Sequence, residues 1–156
     1  MGDSRRFEVT AKFIVKNFNP CCVADVAGGR GNLSKELVKY GFECTVIDPR
    51  HDQMSGLKAM HRKFDHKLAK RFDLVVGLHP DEATEELCIV AASGIRTVVV
   101  PCCNMWRGIE NHGSGSLANT IRLYLGKHNV DWWETVLPMN GKNLAFVANR
   151  EMKHAH

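Results

Sequence analysis

No window of this 156-residue sequence approaches the roughly 18 consecutive apolar residues that a membrane helix needs, so no membrane association is expected. The start, Met1 to Arg6, is polar and runs straight into a helical pattern, unlike a secretory leader. There is no Cys-x-x-Cys pair. The cysteines stand at 21, 22, 44, 88, 102 and 103, as two adjacent pairs and two singles, whereas zinc ligands are usually spaced by roughly two to four residues. No metal is therefore expected. Cys21, Cys22, Cys44 and Cys88 lie in or beside apolar runs, where free cysteine behaves as a small buried hydrophobe. Reduced thiols and a cytoplasmic location follow. The sequence also lacks blocks of like charge, low-complexity tails, internal repeats and linkers. That excludes a polybasic arm and predicts one domain over residues 1–156.

What is present is a 44% hydrophobic composition, enough at this length to bury a core without a disulfide or metal staple. The formal net charge is +4 and the pI about 8.8. This permits an anionic partner such as RNA without demanding one. The densest basic stretch, Arg50 to Arg71, reads as a solvated helix face in preference to an RNA-binding face.

The apolar pattern alternates between helix and strand periods. Residues 4–18 place Phe7, Ala11, Ile14, Val15 and Phe18 on one side of a helix ended by Asn19-Pro20. Cys21 to Val26 is a buried strand. A glycine-rich turn leads to Asn32 and a helix that Gly41 closes. Phe42 to Ile47 is the second strand, ending at Asp48-Pro49. Residues 52–70 read as a helix, because Met54, Leu57, Met60, Phe64 and Leu68 recur at helical intervals. Asp73 to Leu78 is a third strand, residues from Asp81 to about Ala92 a helix, and Ile95 to Val100 a fourth strand rich in β-branched residues. A glycine-bearing loop at 104–116, a helix over 116–128 and two strands, Trp132–Leu137 and Leu144–Ala148, complete the chain. Asn140-Gly141 between them signals a hairpin. The prediction is an α/β fold: a three-layer sandwich around a mostly parallel sheet of about six strands, closed by a C-terminal antiparallel hairpin.

In such a sheet, ligands bind beyond the C-terminal strand ends, where strand order reverses. Asp25 followed by Ala27-Gly28-Gly29-Arg30-Gly31 lies at one such end. Glycines there let the backbone approach a ligand, the following helix offers unpaired N–H groups, and the acid can accept hydrogen bonds from a cationic amine. Asp48, at the second strand's end, can take both hydroxyls of a ribose. The turns Gly77-Leu78-His79-Pro80 and Pro101-Cys102-Cys103-Asn104 follow the third and fourth strands. His79 and Asp81 are the candidate proton acceptors, whereas Cys102 and Cys103 read as packing residues. Trp106, Trp132 and Trp133 could stack nucleobases, although adjacent positions on one strand face opposite ways.

Asp25-Val26-Ala27-Gly28-Gly29-Arg30-Gly31 resembles the glycine-rich first motif of the Rossmann-like S-adenosylmethionine-dependent methyltransferases. The position of Asp48 and the final hairpin are similar to that family as well. More narrowly, Gly77-Leu78-His79, Ala83-Thr84 and Pro101-Cys102-Cys103 resemble a branch that includes tRNA ribose methyltransferases. The resemblance implies S-adenosylmethionine as cofactor. Gly28, Gly29 and Gly31 would border its methionine part, with Asp25 beneath. Asp48 would hold the ribose, Pro49 and Arg50 would lie near the adenine, and Leu78 and His79 would face the methyl group. RNA, or a protein partner, is the implied company. The zinc-binding segments of the tRNA branch are absent, and the single helix read over residues 49–72 leaves open whether the family's usual edge strand exists here.

Two other readings compete. One is a methyltransferase-like module that binds protein or RNA without turnover. The other is a nicotinamide-dependent oxidoreductase, since Gly29-x-Gly31-x-x-Ser34 loosely imitates a dinucleotide fingerprint. Asp25 before the turn and the terminal hairpin argue against the second.

Overall fold

The structure is a computed structural model and describes residues 3–50, 56–102, 106 and 114–150. In chain order the elements are α1 (Arg6–Asn17), β1 (Cys22–Val26), α2 (Asn32–Val38), β2 (Glu43–Ile47), β3 (Lys58–Met60), a 3-10 turn (His66–Arg71), β4 (Leu74–Leu78), a second 3-10 turn (Asp81–Ala83), α3 (Thr84–Ala92), β5 (Arg96–Val100), α4 (Ser114–Lys127), β6 (Trp132–Val136) and β7 (Leu144–Ala148). The strands form one sheet in the order β3-β2-β1-β4-β5-β7-β6. The first five are parallel, and β7 runs antiparallel to both β5 and β6. The hairpin expected around Asn140-Gly141 is present.

The mostly parallel sheet with its C-terminal hairpin is as expected; among the described residues it has seven strands where about six were expected, and the difference lies in one place. No helix spans the described part of residues 52–70. Lys58-Ala59-Met60 instead forms the edge strand β3 against Thr45-Val46-Ile47, and a 3-10 turn follows, capped by the Asp65 carboxylate, which accepts from the Lys67 amide at 2.8 Å. Phe64 and Leu68 are buried, but on separate pieces of chain. Three apolar residues on a strand, a loop and a turn had mimicked one helical stripe.

Strand alternation sorts the core into layers. Val23 of β1 and Leu74, Val76 and Leu78 of β4 pack with Ala11, Ile14 and Phe18 of α1 and Leu33 and Leu37 of α2. Ala24, Val26 and Val75 face the other way, onto Phe64, Leu68, Leu87 and Val90. On that side α4 adds Leu117, Ile121 and Leu125 over Phe146. Side chains of about this size contribute roughly 1.5–3 kcal/mol each on burial, so the two helical layers hold the sheet flat side to flat side. Gly77 is glycine for close approach: a Cβ there would collide with Leu87 Cδ1 and lie 3.0 Å from Pro80 Cβ.

Trp132 and Trp133 take opposite faces. Trp132 packs near Phe146, ring centroids 5.9 Å apart, and Trp133 near Phe13, at 5.8 Å. Both are half-buried against the core, so they do not make a shared stacking platform. Trp106 lies edge-on to Tyr124 at 5.4 Å. Cys103, Asn104 and, of the loop expected before α4, residues 105 and 107–113 lie outside the described residues. Cys21, Cys22, Cys44, Cys88 and Cys102 are free thiols. Burial pushes the Cys44 and Cys88 thiols up to about 12, which makes both unreactive.

Candidate functional site at the strand-order reversal

Strand order reverses at β1: the chain proceeds outward through β2 and β3 on one side and through β4 and β5 on the other. The turns after β1, β2 and β4 therefore meet at one crevice. A cavity of about 610 Å³ opens there, lined by Val26, Ala27, Ile47, Asp48, Pro49, Arg50, Lys63, Phe64 and the Pro80–Ala83 turn, with Glu86 behind it. That volume is in the range of small-molecule and cofactor sites.

Each wall has a local cause. The ends of β1 and β2 are level, Val26 beside Ile47, and the Ala27 amide donates to the Ile47 carbonyl at 2.8 Å. Ala27, Gly29 and Gly31 then take left-handed φ of 56°, 56° and 76°, turning the chain sharply into α2. The Asp48 amide donates to the Met60 carbonyl at 3.1 Å. The edge strand that sequence reading did not resolve is thus what fixes Asp48. After β4, His79 and Asp81 both carry φ near +50° on either side of Pro80. Left-handed non-glycine residues are costly and concentrate at functional turns.

The two strand-tip carboxylates do not share the cavity wall. Asp48 lines it. Asp25 is 1% exposed and sits under the glycine turn, accepting from the Ser34 hydroxyl at 2.6 Å. A Cβ on Gly28 would lie 2.6 Å from its carboxylate. The reason is strand alternation: Val26 points to the cavity layer, so Asp25 points to the α2 layer. Leu78 is buried with that same α2-side core and does not line the cavity, and Gly28, Gly29 and Gly31 border the turn without lining it. Ala27, Asp48, Pro49, Arg50 and Asp81 do come together there.

Electrostatics separate the two acids. Burial raises the Asp25 carboxyl to about 6; hydrogen bonds from Ser34 oppose this, and the charge of Asp48 adds to it. Burial also raises Asp48, but hydrogen bonds from Arg50 and from the Arg50 and Gly29 amides outweigh it and hold the carboxyl below its ordinary value. Around the cavity, Arg50 is paired with Asp48 at 2.7 Å and Lys63 with Glu82 at 3.8 Å. The lining holds four acids, Asp48, Asp81, Glu82 and Glu86, against two bases, Arg50 and Lys63, and Glu86 accepts from His66 Nδ1 at 2.8 Å. The cavity is acidic in a chain that is basic overall.

His79 precedes the lining residue Pro80 but does not itself line the cavity. Its Nε2–H donates to the Lys142 carbonyl at 2.8 Å, which ties β4's exit to the terminal hairpin. That bond selects the tautomer whose Nδ1 carries a lone pair. Asp81 accepts from the Cys102 thiol at 3.2 Å. Sequence reasoning missed Ser34 as the partner of Asp25, and Lys63, Phe64 and Glu86 as lining residues. Asp65, His66 and Glu86 bring one ligand atom each within 4.8 Å, but the acids also cap backbone: Glu86 accepts from the His66 amide at 2.9 Å.

No family model and no curated protein matches this sequence. Solved structures do match in fold. An S-adenosylmethionine-dependent methyltransferase from Archaeoglobus fulgidus superposes with a TM-score of 0.63 at 11% identity, covering 93% of this chain and 94% of that one. A ribosomal protein L11 methylase from Lactobacillus delbrueckii subsp. bulgaricus gives 0.60 at 15% identity, covering 96% and 79%. A Burkholderia thailandensis 1,6-didemethyltoxoflavin-N1-methyltransferase with bound S-adenosylhomocysteine gives 0.58 at 15%, covering 97% and 80%. In fold, then, this chain is a Rossmann-like protein of the kind that S-adenosylmethionine-dependent methyltransferases share.

Proposed function

We propose that the chain binds S-adenosylmethionine in this crevice and acts as a methyltransferase. The carrying observation is Asp48: a buried carboxylate at the tip of β2, hydrogen-bonded to the Gly29 amide at 2.9 Å and facing the cavity at the strand-order reversal. A ribose diol donating to Asp48 would place a flat base against Pro49, Phe64 and Ile47. The acidic surplus of the lining suits a cationic sulfonium and opposes the phosphates of a dinucleotide, which favours this reading over the oxidoreductase.

The cofactor would supply an electrophilic methyl group, so the protein's part is to orient and to move a proton. Asp48 and the glycine turn would orient the donor. His79 Nδ1, held in its accepting tautomer by Lys142, would take the acceptor's proton, with Asp81 beside it. An RNA acceptor rests on the sequence resemblance alone. The basic stretch that could have formed an RNA face is divided between β3 and a 3-10 turn.

Calorimetry with S-adenosylhomocysteine tests the reading. Saturable one-to-one binding is expected, and Asp48→Ala should weaken it by about 10–100-fold, the worth of hydrogen bonds to a charged group. Equal affinity in both proteins refutes the site. Label transfer from methyl-labelled S-adenosylmethionine to an acceptor then separates an enzyme from a binding module.

A further inference from the structure

The contact between Arg50 and Asp48 has the form of a lock on the binding acid. Both Asp48 oxygens are occupied by its own neighbour. One accepts from the Arg50 amide at 2.9 Å and from Arg50 Nε at 3.0 Å; the other accepts from Arg50 Nη2 at 2.7 Å and from the Gly29 amide at 2.9 Å. A carboxylate offers about four lone-pair directions, and four donors fill them. The two partners differ in freedom: the Asp48 side chain is 2% exposed and that of Arg50 62%. Asp48 is fixed, by β3 through its amide and by the glycine turn through its side chain, whereas the guanidinium is the part that can leave. It also lies over the turn, since a Cβ on Gly29 would come 3.2 Å from Arg50 Nη2.

We propose that Arg50 gates the site: its forked guanidinium blocks Asp48, and a diol-bearing ligand binds only by displacing it. A planar, two-pronged donor matches a carboxylate better than two independent hydroxyls do, so the gate lowers affinity and favours ligands that bring a whole diol. The inference rests on the ribose role of Asp48, and the two are tested separately.

The experiment compares wild type, Arg50→Ala and Arg50→Lys by calorimetry, using S-adenosylhomocysteine and its analogue lacking the 2′ and 3′ hydroxyls. Arg50→Ala should bind S-adenosylhomocysteine about 3–10-fold more tightly than wild type, Arg50→Lys less so, and neither should gain affinity for the analogue. Unchanged or weaker binding in Arg50→Ala overturns the gate. A gain that is equal for the analogue overturns it too, because the effect would then be one of general access. If wild type and Asp48→Ala bind S-adenosylhomocysteine equally, the ribose reading itself fails, whatever Arg50 does.

Discussion

Gly28→Ala is expected to destabilise the protein by about 2–3 kcal/mol and to lower Tm by roughly 5–10 °C, although alanine is a better residue than glycine for most backbones. Gly28 has no unusual φ to defend. Its constraint is contact: an added Cβ would lie 2.6 Å from Asp25 Cγ and Oδ1 and 2.8 Å from Oδ2. The carboxylate cannot retreat, because it is buried and held by Ser34 at 2.6 Å. Overfilling a packed site forces side chains off their rotamers or shifts the backbone. A double-mutant cycle isolates the cause. In an Asp25→Ala background the same methyl should cost less than about 0.5 kcal/mol, since the group it strikes is gone. An undiminished cost there would place the strain in the turn's backbone and not in this contact. Urea unfolding of the four proteins gives the answer.

The same pair of residues shows what could and could not be read from sequence. The strand, the acid and the glycines were legible as a unit, because a short apolar run followed by Ala-Gly-Gly-Arg-Gly has few other uses. That the acid serves the turn from below, and not the cavity from the side, depends on strand parity relative to the rest of the sheet. Asp25 and Asp48 look equivalent along the chain, but one ends inside a strand facing α2 and the other stands one residue past a strand. The six longer strands were legible because each carries about five residues of apolar or β-branched character. β3 was not, because three residues give too few alternations to establish a period of two, and Met60, Phe64 and Leu68 fall by chance at helical intervals. The cost of that misreading was local: it hid the Met60 carbonyl that positions the Asp48 amide, and with it Lys63 and Phe64 as parts of the cavity wall. The resemblance to methyltransferases survived because the crevice is made chiefly by β1, β2 and β4, whose ends were all in place.

Asp25→Asn is expected to abolish a pH dependence of stability worth about 3 kcal/mol. The native carboxyl stands at about 6 against 3.8 for the free side chain, raised chiefly by burial. Between those values the unfolded chain has lost its proton while the native chain keeps it. The carboxyl's contribution is therefore fully present below pH 3.8, is lost as pH rises, and is gone above about 6. A shift of roughly two units corresponds to about 3 kcal/mol. Asparagine cannot ionise, so the difference in unfolding free energy between variant and wild type should move by that amount in the variant's favour between pH 3 and pH 7.5, whatever constant offset the new amide adds. A difference that stays flat across that window would mean the carboxyl is not charged at a cost. At neutral pH the carboxyl under the glycine turn would then be ionised at a cost to stability. If the proposed cofactor feels that charge, Asp25→Asn should bind S-adenosylhomocysteine several-fold more weakly than wild type at pH 7.5. The two proteins should bind alike at pH 5, where the native carboxyl is already neutral.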